Sequence, residues 1–78
     1  KSLLLDDVDK LLQEYLAENY PLIDSFRIHY IKGRIELEVV LPHTMFSLSP
    51  QVGTIKNRCC VLAQEHKQVS RVDVFFKA

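Results

Sequence analysis

The stretch Phe26-Arg27-Ile28-His29-Tyr30-Ile31-Lys32-Gly33-Arg34-Ile35-Glu36-Leu37-Glu38-Val39 decides how this chain is read. Lys32-Gly33 is a two-residue turn, with glycine supplying the positive φ that such turns need. Folding about it sets Tyr30 against Ile35, Ile28 against Leu37 and Phe26 against Val39, all apolar. The intervening pairs, His29/Glu36 and Arg27/Glu38, are complementary in charge. A slip of one residue would oppose apolar and charged side chains along the ladder. The register predicts an antiparallel hairpin with one buried and one polar face.

Working outward, Leu4, Leu5, Val8, Leu11, Leu12, Tyr15 and Leu16 recur at three- and four-residue steps and predict an amphipathic helix before the hairpin. Asp6 and Asp7 lie in its first turns, where the helix dipole favours negative charge. Pro21 is expected to end it, with Tyr20 pushed out of helical geometry. After the hairpin, Pro42 closes the second strand and residues 42–49 form a connection carrying His43, Met45 and Phe46. Ser49 as N-cap and Pro50 in the first turn start a second helix. Val52, Ile55, Cys59, Leu62, Ala63 and His66 sit at helical spacing along it, as far as about Lys67. Gly53 either weakens that helix or permits a close packing approach. From Val69 to Lys77, Val72, Val74 and Phe76 alternate with Arg71, Asp73 and Phe75, which predicts a last strand.

The order helix, strand, strand, helix, strand makes an α+β fold. A right-handed crossover through the second helix is expected to set the last strand beside the first. The expected sheet order is 2-1-3, with both helices on one face.

The 78 residues make one domain, 1–78. A chain this size buries only about 60% of its unfolded surface, which favours oligomerisation. Hydrophobic residues are 47% and charged residues 26%, ordinary globular values that exclude disorder. Ten basic residues balance ten acidic ones, which argues against nonspecific nucleic-acid binding. No apolar run approaches a membrane span, and the start at Lys1-Ser2 without Met suggests a fragment. Cys59 and Cys60 are adjacent with nothing else to bridge to, so no disulfide framework forms, in keeping with a reducing compartment.

The element order, together with Ile23-Asp24-Ser25-Phe26-Arg27-Ile28-His29, the Gly33 turn, the acidic-apolar run Arg34 to Leu41, the helix after Leu48-Ser49-Pro50 and the closing Arg71-Val72-Asp73-Val74-Phe75-Phe76, resembles the C-terminal cytoplasmic domain of cation diffusion facilitator metal transporters. The resemblance covers nearly the whole chain and rests on pattern rather than on an invariant signature. It implies a two-layer, metallochaperone-like αββαβ domain, a variant of the ferredoxin-like arrangement. Such a domain forms a homodimer at the cytoplasmic face of a membrane, beneath the membrane-embedded transporter part of the same chain. In that family a divalent transition metal such as zinc, manganese or iron, bound between protomers, draws the two domains together and favours transport. By population shift, the ion biases the dimer only through its differential affinity for the closed arrangement.

The chain departs from the family at its metal histidines. The corresponding positions hold Asp24, Glu38 and approximately Lys77, and a further one falls near Gly53. Either the metal site has moved, or it binds weakly, or the domain has become a dimerisation module.

Candidate ligands follow from the residues themselves. His29 with Glu36, and Glu38 two residues on, share the polar sheet face and suit a borderline metal such as Zn²⁺. The plainer reading is a cross-strand ion pair, with Arg27/Glu38 beside it. His43, on the loop after Pro42, is a ligand candidate or a solvated loop histidine, and Asp24 joins the set through the resemblance. His66 at the last turn of the second helix suits the helix dipole. The side chains of Cys59 and Cys60 diverge by about 100° on a helix and chelate one ion poorly. Cys59 falls on the core stripe, and Cys60 on its flank. Phe75 on the outer face of the last strand, beside Ile31 or Val40, forms a candidate dimer patch. Met45 and Phe46 cap the core edge or add to a partner surface.

Nothing in the sequence places a nucleophile or general base in a pocket or strained turn, so the expectation is a protein that is not an enzyme. A small KH-like RNA- or ribosome-associated module shares part of the element order. It needs a Gly-x-x-Gly clamp or a basic stripe, and Gly53-Thr54-Ile55-Lys56 lacks the second glycine. A small oxidoreductase using Cys59-Cys60 is a third and weaker reading.

Overall fold

A computed structural model describes residues 5–78. It is an α+β fold: helix α1 (Leu5–Leu16), strands β1 (Ser25–Ile31) and β2 (Arg34–Leu41), helix α2 (Ser49–Glu65) and strand β3 (Val69–Phe76), with 3₁₀ turns at Ala17–Leu22 and His43–Ser47. Leu4, expected on the stripe of the first helix, lies outside the described residues. Val8, Leu12 and Leu16 from that stripe are fully buried, whereas Leu5 is 58% exposed.

The helix stops earlier than Pro21. It ends at Leu16, because Ala17 takes a left-handed φ of 50°. A 3₁₀ turn containing Pro21 carries the chain to β1. Tyr20 anchors this turn by donating its hydroxyl to Asp9 Oδ1, on the preceding helix.

The hairpin has the register read from the sequence: Phe26 opposite Val39, Ile28 opposite Leu37 and Tyr30 opposite Ile35. Lys32 and Gly33 both have positive φ, 51° and 78°, as a turn matched to strand twist requires.

The strand order differs from the expected 2-1-3. β2 is central, antiparallel to β1 and parallel to β3, in the order β1-β2-β3. The crossover through α2 delivers β3 beside the strand it has just left, the shorter of the two allowed routes. Burial explains the preference. Ile35, Leu37, Val39 and Leu41 of β2 are all fully buried and need cover on both sides, whereas β1 leaves His29, Tyr30 and Ile31 exposed.

β3 pairs Val72 with Leu37, Val74 with Val39 and Phe76 with Leu41. A register irregularity at Ile35/Glu36 leaves Ser70 unpaired, and its hydroxyl donates to the Ile35 carbonyl, 3.1 Å away. This bulge reverses the alternation, so Val69 reaches the same core as Val72 and Val74.

The core joins Val8, Leu12 and Leu16 of α1 and Val52, Ile55, Cys59 and Leu62 of α2 to the buried residues of β2, with Met45 closing one end. α2 ends at Glu65, short of Lys67. Ser49 is its first residue rather than its cap; Leu48 is the N-cap, and no side chain caps the helix. Gly53 packs against nothing, since a Cβ there would meet open space. Among the described residues no helix is long and apolar enough to cross a membrane.

Candidate functional site

Strand alternation determines which side chains share the sheet face turned away from the core. Given the register, Ser25, Arg27, His29 and Ile31 of β1, Arg34, Glu36, Glu38 and Val40 of β2, and Arg71, Asp73 and Phe75 of β3 lie on it. Three rows cross this face: His29-Glu36-Arg71, Arg27-Glu38-Asp73 and Ser25-Val40-Phe75.

His29 and Glu36 are direct cross-strand neighbours, but the imidazole turns to the next row. Its Nε2 lies 3.4 Å from Glu38 Oε2. The expected pairs His29/Glu36 and Arg27/Glu38 hold in the register, and the imidazole makes its ion-pair contact diagonally, to Glu38. Glu36 also stands opposite Arg71. Arg71 donates from Nε to Asp73 Oδ2 at 2.7 Å, and this bond, with the charges of Asp73, Glu36 and Glu38, raises its pKa further. The sequence reading did not single out Arg71 and Asp73, although their alternation with Val72 and Val74 placed them on this face.

At the other end of the sheet, Lys77 Nζ lies 3.6 Å from Asp24 Oδ1. Backbone bonds from Asp24 N to the Val40 carbonyl (2.8 Å) and from Lys77 N to the Leu41 carbonyl (2.7 Å) bring both residues against the end of β2. A shallow open depression of about 350 Å³ lies here, lined by Arg27, Glu38, Val40, Phe75 and Lys77. His43 is exposed at the start of the second 3₁₀ turn.

The five ligand candidates do not form one cluster. Among the described residues of one chain there is no group of three or more His, Cys, Asp and Glu that could hold a metal ion. Within the set, His29 and Glu38 make a pair, with side chains 50% and 30% exposed.

Of the dimer-patch candidates, Phe75 and Val40 are adjacent across β2 and β3. Ile31 is not beside them; it pairs with Arg34 at the far end of the hairpin. The strand directions cause the separation: in the antiparallel hairpin Ile31 lies at the turn end, whereas Val40, opposite Ser25, and Phe75 on the parallel β3 lie at the other. Phe46, 75% exposed, packs edge-on against Phe76 at 5.4 Å between ring centroids.

A second polar cluster links the two helices. The Tyr15 hydroxyl donates to Glu65 Oε1, and His66 Nε2 lies 3.1 Å from the Tyr15 hydroxyl oxygen. The hydrogen bond to Glu65 is the main cause that pushes the Tyr15 phenol up to about 12; desolvation and the charges of Glu65 and Glu14 add to it. His66, expected on the last turn of the helix, is instead its C-cap. Cys59 is buried and its thiol is pushed up to about 11, chiefly by burial; Cys60 is exposed, and both are free.

No protein-family model, curated protein or solved structure matches the chain.

Proposed function

We propose that this chain is the dimerising, metal-sensing cytoplasmic domain of a divalent-cation efflux transporter, with the two-layer, metallochaperone-like αββαβ architecture that its sequence resembles. Element order and hairpin register accord with that architecture. The observation that carries the reading is the outer sheet face. It presents His29, Glu36 and Glu38 on the same face as an apolar pair, the exposed Phe75 and the half-buried Val40, on a domain small enough to gain from association.

In this reading the family's histidine positions have changed chemistry. Asp24 meets the ammonium of Lys77, a fixed cation. The ligands left to one chain, His29 with Glu38 and Glu36, number fewer than the four of a closed zinc site, so a second copy completes the set. Metal then stabilises the dimer by mass action rather than the monomer fold alone.

Sedimentation equilibrium with and without zinc, manganese and iron(II), together with thermal melts, tests this. The expected outcome is a dimer whose melting temperature rises modestly with one of these ions. A monomer indifferent to all three removes the proposal. His29→Ala and His43→Ala, made separately, locate the site, and the proposal expects the metal response to vanish in the first.

A further inference from the structure

Among the described residues the sheet has two edge strands, β1 and β3. We propose that the β1 edge is a self-association surface on which a second copy adds its own β1, antiparallel, to make one six-stranded sheet in the order β3-β2-β1-β1-β2-β3. This rests on the homodimer reading above and deepens it by naming the edge and the register.

The two edges differ in protection. Exposed edges invite pairing unless charge, bulges or a covering segment blunt them. β3 carries all three: the bulge at Ser70, the ions Arg71 and Asp73, and the 3₁₀ turn His43–Ser47 with Phe46 against Phe76 at its end. β1, Ser25-Phe26-Arg27-Ile28-His29-Tyr30-Ile31, has no proline, glycine, lysine or carboxylate, and its register with β2 is unbroken.

β1 is also complementary to itself. In a two-fold antiparallel pairing that keeps the faces matched, the two residue numbers of each pair sum to an even value. Centring the pairing on Ile28 uses all seven residues. Ile28 then meets Ile28 of the second copy, and Phe26 meets Tyr30 of the second copy. Arg27 falls opposite His29 of the second copy, whose imidazole already lies against Glu38. Centring on Arg27 would oppose two guanidinium groups. Centring on His29 would set Phe26 against Lys32.

The same register gathers apolar groups that one chain leaves apart. Ile31 of the second copy falls opposite Ser25, which pairs with Val40, which pairs with Phe75. Ile31 and Phe75, 46% and 47% exposed, then belong to a single row across neighbouring strands about 4.8 Å apart. Tyr30, 57% exposed, gains Phe26 of the second copy on the opposite face. Pairing through β3 changes nothing for Tyr30 or Ile31.

The test uses the 78-residue chain with Cys60→Ser, leaving Cys59 buried. Adding Ser25→Cys and Ile31→Cys, both at exposed positions, is expected to give a covalent dimer on mild oxidation or with a short bis-maleimide, while the Cys60→Ser parent stays uncrosslinked. Ile31→Asp without added cysteines is expected to raise the dimer dissociation constant about tenfold or more by placing a carboxylate in the apolar row. A dimer that fails to crosslink at these positions, or that crosslinks through Arg71→Cys on the opposite edge instead, overturns the edge assignment and leaves the homodimer standing. A wild-type chain that stays monomeric at millimolar concentration overturns the homodimer itself.

Discussion

Lys77 Nζ lies 3.6 Å from Asp24 Oδ1, so the residue that follows the last strand is tied to the one that precedes the first, across the end of β2. Their side chains are 61% and 32% exposed, and such a pair is worth little against solvent screening. Lys77→Ala should therefore change the unfolding free energy by less than about 1 kcal/mol, and the difference should shrink further in high salt. Urea titrations at two ionic strengths check this. A loss well above that range would mean that the pair fixes β3 against the sheet rather than decorating its end.

Two positive-φ positions make opposite predictions. Ala17 ends α1 at φ 50° and Gly33 closes the hairpin at φ 78°. An L-residue is strained there by roughly 1–2 kcal/mol, partly offset by the extra freedom glycine has when unfolded. Ala17→Gly should stabilise by up to about 1 kcal/mol, although glycine is the poorer helix former. Gly33→Ala should cost about 1 kcal/mol through the backbone alone, since an added Cβ meets nothing within 4 Å. Denaturant midpoints should move in opposite directions.

The adjacent thiols should behave as strangers. Cys60 is exposed, while Cys59 is 1% exposed with its thiol pushed up to about 11. At about pH 8 a thiol-specific reagent should modify one equivalent rapidly and the second only as fast as the chain unfolds. Rapid reaction of two equivalents in the native protein would remove Cys59 from the core.

The Tyr15 phenol, at about 12, lies above its ordinary value of 10.0 because its hydroxyl donates to Glu65. A value raised on folding stabilises the fold fully below pH 10.0 and loses that contribution as pH rises towards about 12. Absorbance titration should show a tyrosine titrating towards about 12 that disappears in Tyr15→Phe, and the urea midpoint of the wild type should fall across the same interval. Tyr20, raised by its bond to Asp9, should also titrate above its ordinary value. Simultaneous titration of Tyr15 with an unfolded control would show that the contact between the helices is not maintained in solution.

How much of this was legible in advance varies by element. The hairpin register was readable because a two-residue turn and a strict alternation leave one in-phase pairing. The helix stripes and the burial of Cys59 follow from periodicity in the same way. The early end of α1 is not legible, because Ala17 takes its positive φ without being a glycine and the local helix breaker, Pro21, stands four residues downstream. The contact of Tyr15 with Glu65 and His66 joins residues about fifty positions apart, and no local pattern announces it.

The candidate site divides along the same line. Alternation assigns His29, Glu36, Glu38, Val40 and Phe75 to one face, and the amino-acid order alone settles this because neighbouring side chains on a strand must point oppositely. Which of Glu36 and Glu38 receives the imidazole is decided by how the side chains turn, and whether Phe75 stands beside Val40 or beside β1 depends on which strand the crossover places in the middle. Both sheet orders satisfy the local patterns equally. The choice falls to the burial of Ile35, Leu37, Val39 and Leu41, which only a central strand can cover from both sides.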